Sequence, residues 1–359
     1  MTSNYHRIII KVGSNVFTQK DGLPDLRRIE NLVEQIAEIK SRGIEVILVS
    51  SGAVASGRSL INVSEKFDPI AARQLLASIG QVKLINTYSR LFEQFSILCS
   101  QVLVTKEDFR DRLHYLNMKN CLEILLHHQV LPVVNENDVV SVTELMFTDN
   151  DELAGLIASM LNAQALIVLT NVDGIYDGDP NMEGTEVIEE FNGAVVDFSL
   201  FVSSGRSQFG RGGMITKSTM AQKIAQLGIA VHIANGTKDN ILVDVLENKV
   251  VHTHFKPNKT ASGKKKWIAH SGNFATGIVK VNEGAKIALT SNKASSLLPV
   301  GVIAILSAFK KGDIIKLIDE NNKHIGLGIA EYGSDKATEM IGRKNQKALV
   351  HYDYLYLEC

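Results

Sequence analysis

LPVVNENDVVSVTELMFTDND, Leu131 to Asp151, joins the two kinds of segment that recur through this chain. The apolar run Val130 to Val134 reads as a buried strand, which delivers the polar residues Asn135, Glu136, Asn137 and Asp138. A fully polar tetrad there is expected in a loop rather than in the core. Further on, Asp149, Asn150 and Asp151 open the periodic segment Leu153, Leu156, Ile157, Met160, which reads as a helix with acids at its start. The two clusters flank one loop and suit a small ligand carrying both a cation and anions. Carboxylates accept from an ammonium, while amides and helix-terminal N–H groups donate to a carboxylate. An Asx-rich turn and an N-cap explain the same residues without a ligand, and this stretch alone leaves both open.

The alternation of strand and helix extends outward in both directions. Ile8 to Val12 reads as a strand, and Ile29, Leu32, Val33, Ile36 and Ile39 share one helical face closed by Gly43. Val46 to Val49 and Ile97 to Val104 are further strands, with helices expected over Ala71 to Phe95 and Leu116 to His127. After the Asp151 helix come a strand over Ala165 to Leu169, a helix at Met214 and a strand over Ile229 to Ile233. This spacing predicts an α/β fold with a mainly parallel sheet covered by helices on both faces. Ligands of such folds sit beyond the carboxyl ends of the strands, so the strand-to-helix loops are the places to search.

Near Phe255 the composition changes. FKPNKTASGKKKW, Phe255 to Trp267, holds five lysines, Pro, Gly and Ser with no acid, which reads as a linker. The domains predicted are therefore residues 1–254, a linker over 255–270 and a second domain over 271–359. In the last of these, Ile278 to Val281, Val302 to Leu306, Ile314 to Ile318 and Leu349 to Leu357 alternate with turn signals, the pattern of a small β-barrel-like module.

The 359 residues, 45% hydrophobic and 21% charged with a net charge of -1, describe a soluble globular chain with no general attraction to nucleic acid or acidic membrane. Cys99, Cys121 and Cys359 are widely spaced with no CxxC pair or Cys/His cluster, so neither a disulfide framework nor a zinc site is suggested and a reducing, cytoplasmic setting is expected. The N-terminal residues enter the run Arg7 to Val12 without the features of a signal peptide. The longest apolar stretch, Leu297 to Phe309, contains Pro299 and Gly301 and is too short to span a bilayer.

Three segments could handle an anion. Lys11 lies among Ile8, Ile9, Ile10 and Val12, where a lysine must snorkel or meet an anion, and Gly13 lets a ligand approach the backbone. Ser50-Ser51-Gly52-Ala53 ends the second strand and either presents N–H groups to an anion or makes an ordinary turn. SSGRSQFGRGGMITK, Ser203 to Lys217, sets Gly205, Gly210, Gly212 and Gly213 ahead of a helix, an arrangement that cradles phosphate. Lys217 falls in about the first turn of that helix, where the macrodipole disfavours a cation unless it faces an anion. A P-loop pattern is absent because Arg211 follows Gly210. Asp177, Asp179 and Asn181 do not make a calcium loop, since Met182 and Ile188 occupy its glycine and glutamate positions. His114, His127 and His128 have no partner at a telling spacing.

Taken as a set, KVGSNVF, VSSGAVASG, PVVNENDVV, FTDND, LTNVDGIYDGDP and GRGGMITK resemble, in order, the motifs of glutamate 5-kinases within the amino acid kinase family. SSLLPVGV followed by FKKGD resembles the PUA module that many of them carry C-terminally. The resemblance implies a three-layer αβα sandwich, ATP and Mg²⁺, phosphorylation of the γ-carboxylate of L-glutamate, and proline as feedback inhibitor of this first step of proline biosynthesis. It also implies that Lys11 and Lys217 flank the transferred phosphoryl group, with Asp149 or Asp151 orienting them. Ser51, Asn135, Asp138 and Asn150 would hold glutamate. Lys11, Gly13, Thr170, Asn171 and the run Arg211, Gly212, Gly213, Met214, Ile215, Thr216, Lys217 would bind ATP, and no protein ligand is assigned to Mg²⁺. Asn171 stands where many members of the family have Asp, Arg211 where Thr is frequent, and Met146 where some have Lys.

The partners that follow are glutamate, proline, glutamate-5-phosphate reductase as consumer of the product and a further copy of the chain; no membrane is expected. Another acidic amino acid kinase of the same fold is the alternative within the class. From another class comes RNA binding, since Lys264, Lys265, Lys266 and Trp267 could touch phosphates and stack a base; a solvated linker accounts for them more simply.

Overall fold

The computed structural model describes residues 5–19, 21–64, 67–141, 147, 149–179, 182, 184–192, 198, 213–258, 268, 275–291 and 295–357. The chain divides into two compact units, Met1–Thr260 and Ala261–Cys359.

The first unit contains strands β1 (Arg7–Val12), β2 (Glu45–Ser50), β3 (Cys99–Val104), β4 (Leu131–Glu136), β5 (Ala165–Thr170), β6 (Glu190–Asn192), β7 (Ala230–Asn235) and β8 (Thr253–Lys256). They form one eight-stranded sheet in the order β3-β4-β2-β1-β5-β7-β8-β6. β1, β2, β3, β4, β5 and β7 run parallel, and β8 runs antiparallel to β7. The helices are α1 (Ser14–Phe17), α2 (Leu26–Ser41), α3 (Ala53–Arg58), α4 (Pro69–Glu93), α5 (Glu107–Arg110), α6 (Arg112–His127), α7 (Asn150–Met160), α8 (Met214–Gln226) and α9 (Ile241–Leu246). Every residue of β4 and β5 is buried, as expected of central parallel strands covered on both faces. The expected helical face of α2 is buried throughout, and Asp25 caps its start by accepting from Arg27 N–H.

The expected elements are present with shifted ends. α1, α3, α5, α9, β6 and β8 were not anticipated, being short. One expectation is corrected. Asn135 and Glu136 belong to β4, and Asn135, Glu136 and Asp138 are 3%, 6% and 8% exposed, so most of the polar tetrad lies inside the protein. Such burial requires partners, and each of the three has them.

Part of the burial comes from α4, which packs on α3 without intervening side chains. A Cβ on Gly57 would lie 2.1 Å from Leu76 O, and one on Gly80 1.9 Å from Ala53 O. The glycines let the backbones touch, and α4 reaches the ends of β2 and β4 through Tyr88 to Ser50 and Gln81 to Asn135.

Between β7 and the start of β8 lies a relay of rings. Val250 O can only accept, so His252 Nδ1 donates to it (2.9 Å), His252 Nε2 accepts from His232 Nδ1 (3.0 Å), and His232 Nε2 accepts from Tyr5 Oη (3.1 Å). Burial, and then the neighbouring His254 and His252, push the His232 pKa well down. The unfolded chain therefore binds a proton near the ordinary value of 6.5 that the folded chain excludes. The unfolding free energy should fall as pH drops below that point, by up to about 1.4 kcal/mol per pH unit per excluded proton. Urea midpoints at about pH 7.5 and about pH 5.5 for the wild type and His232→Gln test this, with a smaller difference expected in the variant.

The second unit holds β9 (Gly277–Val281), β10 (Val302–Ile305), β11 (Ile314–Ile318), β12 (His324–Ile329) and β13 (Leu355–Leu357), in the order β10-β9-β11-β12-β13. Short helices occupy Glu283–Thr290 and Ser334–Met340. The run expected as a strand from Leu349 to Leu357 is broken by a 3₁₀ turn over Tyr352–Tyr354, leaving Val350 bridged to Leu297 and only the last three residues in the sheet. Val279, Val281, Ile315, Leu317 and Ile325 build this unit's own core.

Candidate functional site

The carboxyl ends of β1, β2, β4 and β5 face one side of the sheet because the strands are parallel. Lys11 is near the end of β1, Ser51 follows β2, Asn135 and Glu136 end β4, and Thr170 ends β5.

At the centre stands Asp151. Lys11 Nζ lies 2.6 Å from its Oδ1, and Lys217 Nζ donates to its Oδ2 at 2.6 Å. Asp151 is fully buried and the lysine side chains are 5% and 14% exposed. Burial opposes ionisation of Asp151, but the charges and hydrogen bonds of Lys11 and Lys217 outweigh it and bring the pKa down to about 2. For Lys217, burial works toward a lower pKa, and the charges of Asp151 and Asp149 more than compensate, raising it. Both expectations of an anion partner are thus met first by the protein itself. Each ammonium has three donors and spends one on Asp151, so N–H groups remain for an incoming anion.

Asp149 and Asp151 have different tasks. Asp149 is the N-cap of α7, its Oδ1 accepting from Asp151 N (2.9 Å) and Glu152 N (3.0 Å). Its Oδ2 is buried and meets no hydrogen-bond donor among the described residues. Burial, then the charge of Asp151, raises its pKa.

A second group forms a polar chain. Asn150 Nδ2 donates to Ser51 Oγ (2.8 Å) and Asn135 Oδ1 (3.1 Å), and Asn135 Nδ2 donates to Gln81 Oε1 (3.0 Å) on α4. Asp138 Oδ1 accepts from Arg73 Nε at 3.0 Å and from Arg73 Nη2, also from α4. Glu136 Oε1 accepts from Phe147 N at 2.8 Å, and burial is the main reason its pKa rises to about 7.

The third group faces the start of α8. Gly213 supplies no side-chain cap, so among the described residues no side chain caps the first turn, which includes Met214, Ile215 and Thr216. Gly13 sits beside the lysines; a Cβ there would be 3.4 Å from Lys11 Nζ and 3.6 Å from Leu169 O. Thr170 is buried and its Oγ1 is 3.4 Å from Asn171 Oδ1. Arg211, Gly212 and Met146 lie outside the described residues, as do Lys264 to Trp267.

The structure thus joins Lys11, Lys217 and Asp151 in one cluster and Ser51, Asn135 and Asn150 in another. Arg73 and Gln81 were missed. Gln81 left a signal, a polar residue among the apolar positions Ala77, Leu84 and Tyr88 of one helix; Arg73 left none. No group of three or more His, Cys, Asp or Glu suited to a metal ion occurs among the described residues.

A mainly parallel sheet with paired lysines on one buried aspartate, one of them from the first turns of α8, is an arrangement suited to phosphoryl transfer. The chain belongs to the amino acid kinase family, which it matches over residues 6–235, and it matches the PUA domain over residues 277–352. It is 51% identical to a glutamate 5-kinase of Bacteroides thetaiotaomicron, with both chains covered in full. To a glutamate 5-kinase of Chlorobaculum tepidum it is 48% identical, over 98% of each chain. A carbamate kinase from Giardia lamblia bound to AMP-PNP shares the fold, with a TM-score of 0.51 and 19% identity over 71% of this chain and 99% of that one. No helix among the described residues is long and apolar enough to cross a membrane.

Proposed function

We propose that this chain transfers the γ-phosphoryl group of ATP to the γ-carboxylate of L-glutamate, giving L-glutamyl 5-phosphate in the first step of proline biosynthesis. The observation that carries this reading is the Asp151 carboxylate bridging Lys11 and Lys217 at 2.6 Å on each side. A carboxylate of unperturbed pKa about 4.3 is already a nucleophile at neutral pH, so no catalytic base is required. What remains is to hold two anions in line and to neutralise charge on the moving phosphoryl group. Lys11 and Lys217 do this, oriented by Asp151, while Asp149 fixes the start of α7.

Ser51, Asn135 and Asn150 hold the acceptor, and Asp138 takes its α-ammonium. Gly13, Thr170, Asn171 and the α8 N-terminus, with Arg211 and Gly212, take ATP. Mg²⁺ would be held mainly through the ATP phosphates, with no protein ligand assigned, and would shield their charge. The catalytic domain, expected over residues 1–254, takes in the end of β8 at Lys256, the remainder of the stretch to 270 serves as the linker, and 271–359 is the PUA domain. Proline as inhibitor, a cytoplasmic setting, assembly with further copies and hand-over of the product to glutamate-5-phosphate reductase belong to the same proposal.

Incubation with ATP, Mg²⁺ and one acidic amino acid at a time, with hydroxylamine trapping of acyl phosphate, tests the activity. Glutamate should give the γ-hydroxamate. A product from another acidic substrate and none from glutamate would move the chain to the alternative kinase.

Asp138→Ala should raise KM for glutamate at least about tenfold, about 1.4 kcal/mol, with kcat falling much less. The ammonium is remote from the reacting γ-carboxylate, so its contact is nearly the same in ground and transition states. Proline has a similar amine and α-carboxylate, so half inhibition should need more proline, with ATP affinity little altered. An unchanged glutamate KM would exclude the ammonium contact.

A further inference from the structure

The acceptor has two charges at its far end, and Asp138 accounts for only the positive one. On the glutamate reading above, we propose that Arg73 is a specificity-determining residue that binds the substrate's α-carboxylate, making with Asp138 a paired receptor for the zwitterionic end of the amino acid. Arg73 Nε (3.0 Å) and Nη2 both converge on Asp138 Oδ1, and Nη2 is 3.6 Å from Glu136 Oε2. One edge of the guanidinium is spent on the two acids. Among the described residues no hydrogen bond or ion pair engages Nη1, which carries two donors, or Asp138 Oδ2. Among the described residues, a cationic donor and an anionic acceptor without partners of their own are therefore held side by side through one shared oxygen.

The surroundings make this a built arrangement rather than a stray surface pair. Asp138 is 8% exposed and Glu136 6%, whereas the Arg73 side chain keeps 32% of its surface open, enough to meet a ligand. Gln74 Nε2 donates to Val139 O at 2.7 Å, fastening α4 to the loop that carries Asp138. Two turns along the same helix, about 12 Å away, Gln81 holds Asn135 and through it Asn150 and Ser51. One rigid helix thus sets the position of every group proposed to touch the acceptor, and Arg73 is its only cation directed at them among the described contacts. An arginine fork recognises a carboxylate by charge and by geometry, which a lysine reproduces only in charge.

If Arg73 merely props Asp138 in place, losing it would weaken every substrate that bears the α-ammonium to the same extent. If it binds the α-carboxylate, only substrates with that carboxylate suffer. The probe that separates these is the α-amide of L-glutamic acid, which retains the ammonium and the reacting γ-carboxylate. The kcat/KM of glutamate and of this α-amide would be measured by hydroxylamine trapping for the wild type, Arg73→Gln and Arg73→Lys. The wild type should prefer glutamate at least about tenfold, and Arg73→Gln should lose most of that preference through a raised glutamate KM with kcat little changed. Arg73→Lys should fall between the two, and its ratio decides the matter should the glutamine variant not fold. An unchanged preference in the variants, or no preference in the wild type, would overturn the proposal. Absence of any trapped product from glutamate in the wild type would instead strike the proposed activity itself.

Discussion

Asp151→Asn is expected to lower kcat by about a thousandfold, about 4 kcal/mol, while leaving the overall fold intact. The carboxylate that holds Lys11 and Lys217 on its two oxygens would become a neutral amide, with one oxygen to accept and an N–H₂ group that repels an ammonium. Both lysines would then lose their orientation together, which is why the effect should exceed that of losing either lysine alone. Removing one partner of a buried ion pair leaves uncompensated charge, at a typical cost of about 3–5 kcal/mol. The unliganded variant should therefore melt well below the wild type, and ATP, by supplying anions, should restore more stability to the variant than it adds to the wild type.

A pH profile separates positioning from a passive structural part. Asp151 and Asp149 raise the pKa of Lys217, so removing the first should let burial lower it. The alkaline fall in activity should begin at lower pH in Asp151→Asn, because the lysine must remain charged to work. A wild-type kcat in the variant, or an unmoved alkaline limb, would show that the bridge does not organise the lysines.

Much of this site was legible in the sequence because it violates local expectation. A lysine inside the run Ile8 to Val12 must find an anion, and it finds Asp151 on the neighbouring α7. Lys217 in the first turn of α8 violates the dipole rule for the same reason. The choice between Asp149 and Asp151 was beyond one-dimensional reading, since both sit at the start of the same helix. It turns on side-chain direction: Asp149 folds back onto the helix N–H groups, while Asp151 points inward to the lysines.

The misreading of the polar tetrad has a different origin. Polarity after a strand ordinarily signals solvent, but α4 overlies these residues and Phe147 donates its N–H to Glu136. Those partners lie 11 residues away for Phe147 and 54 and 65 residues away for Gln81 and Arg73. No local window contains them. The sheet order likewise places β5 beside β1 and sends β8 antiparallel to β7, facts of tertiary packing that periodicity does not encode.

Lys217→Met is expected to reduce kcat by about a hundredfold, about 3 kcal/mol, with much smaller changes in KM for glutamate and for ATP. Methionine keeps much of the buried stem of lysine and removes the charge. As the phosphoryl group passes between oxygens, its charge spreads over equatorial oxygens, and an ammonium aimed there interacts more strongly with the transition state than with either bound reactant. Interactions of that type appear in kcat rather than in KM. The same substitution has an acid signature. Asp151, depressed to about 2 by its two lysines, contributes stability that is present above the ordinary carboxylate pKa and is lost as pH falls through the folded value. With Lys11 alone as partner, the folded value must rise, so acid unfolding should begin at higher pH in Lys217→Met than in the wild type. Steady-state kinetics and acid titration of the circular dichroism signal would be run on the same preparations. A variant with nearly full kcat would remove Lys217 from the catalytic set, and a large kcat loss without the acid shift would place its partner somewhere other than Asp151.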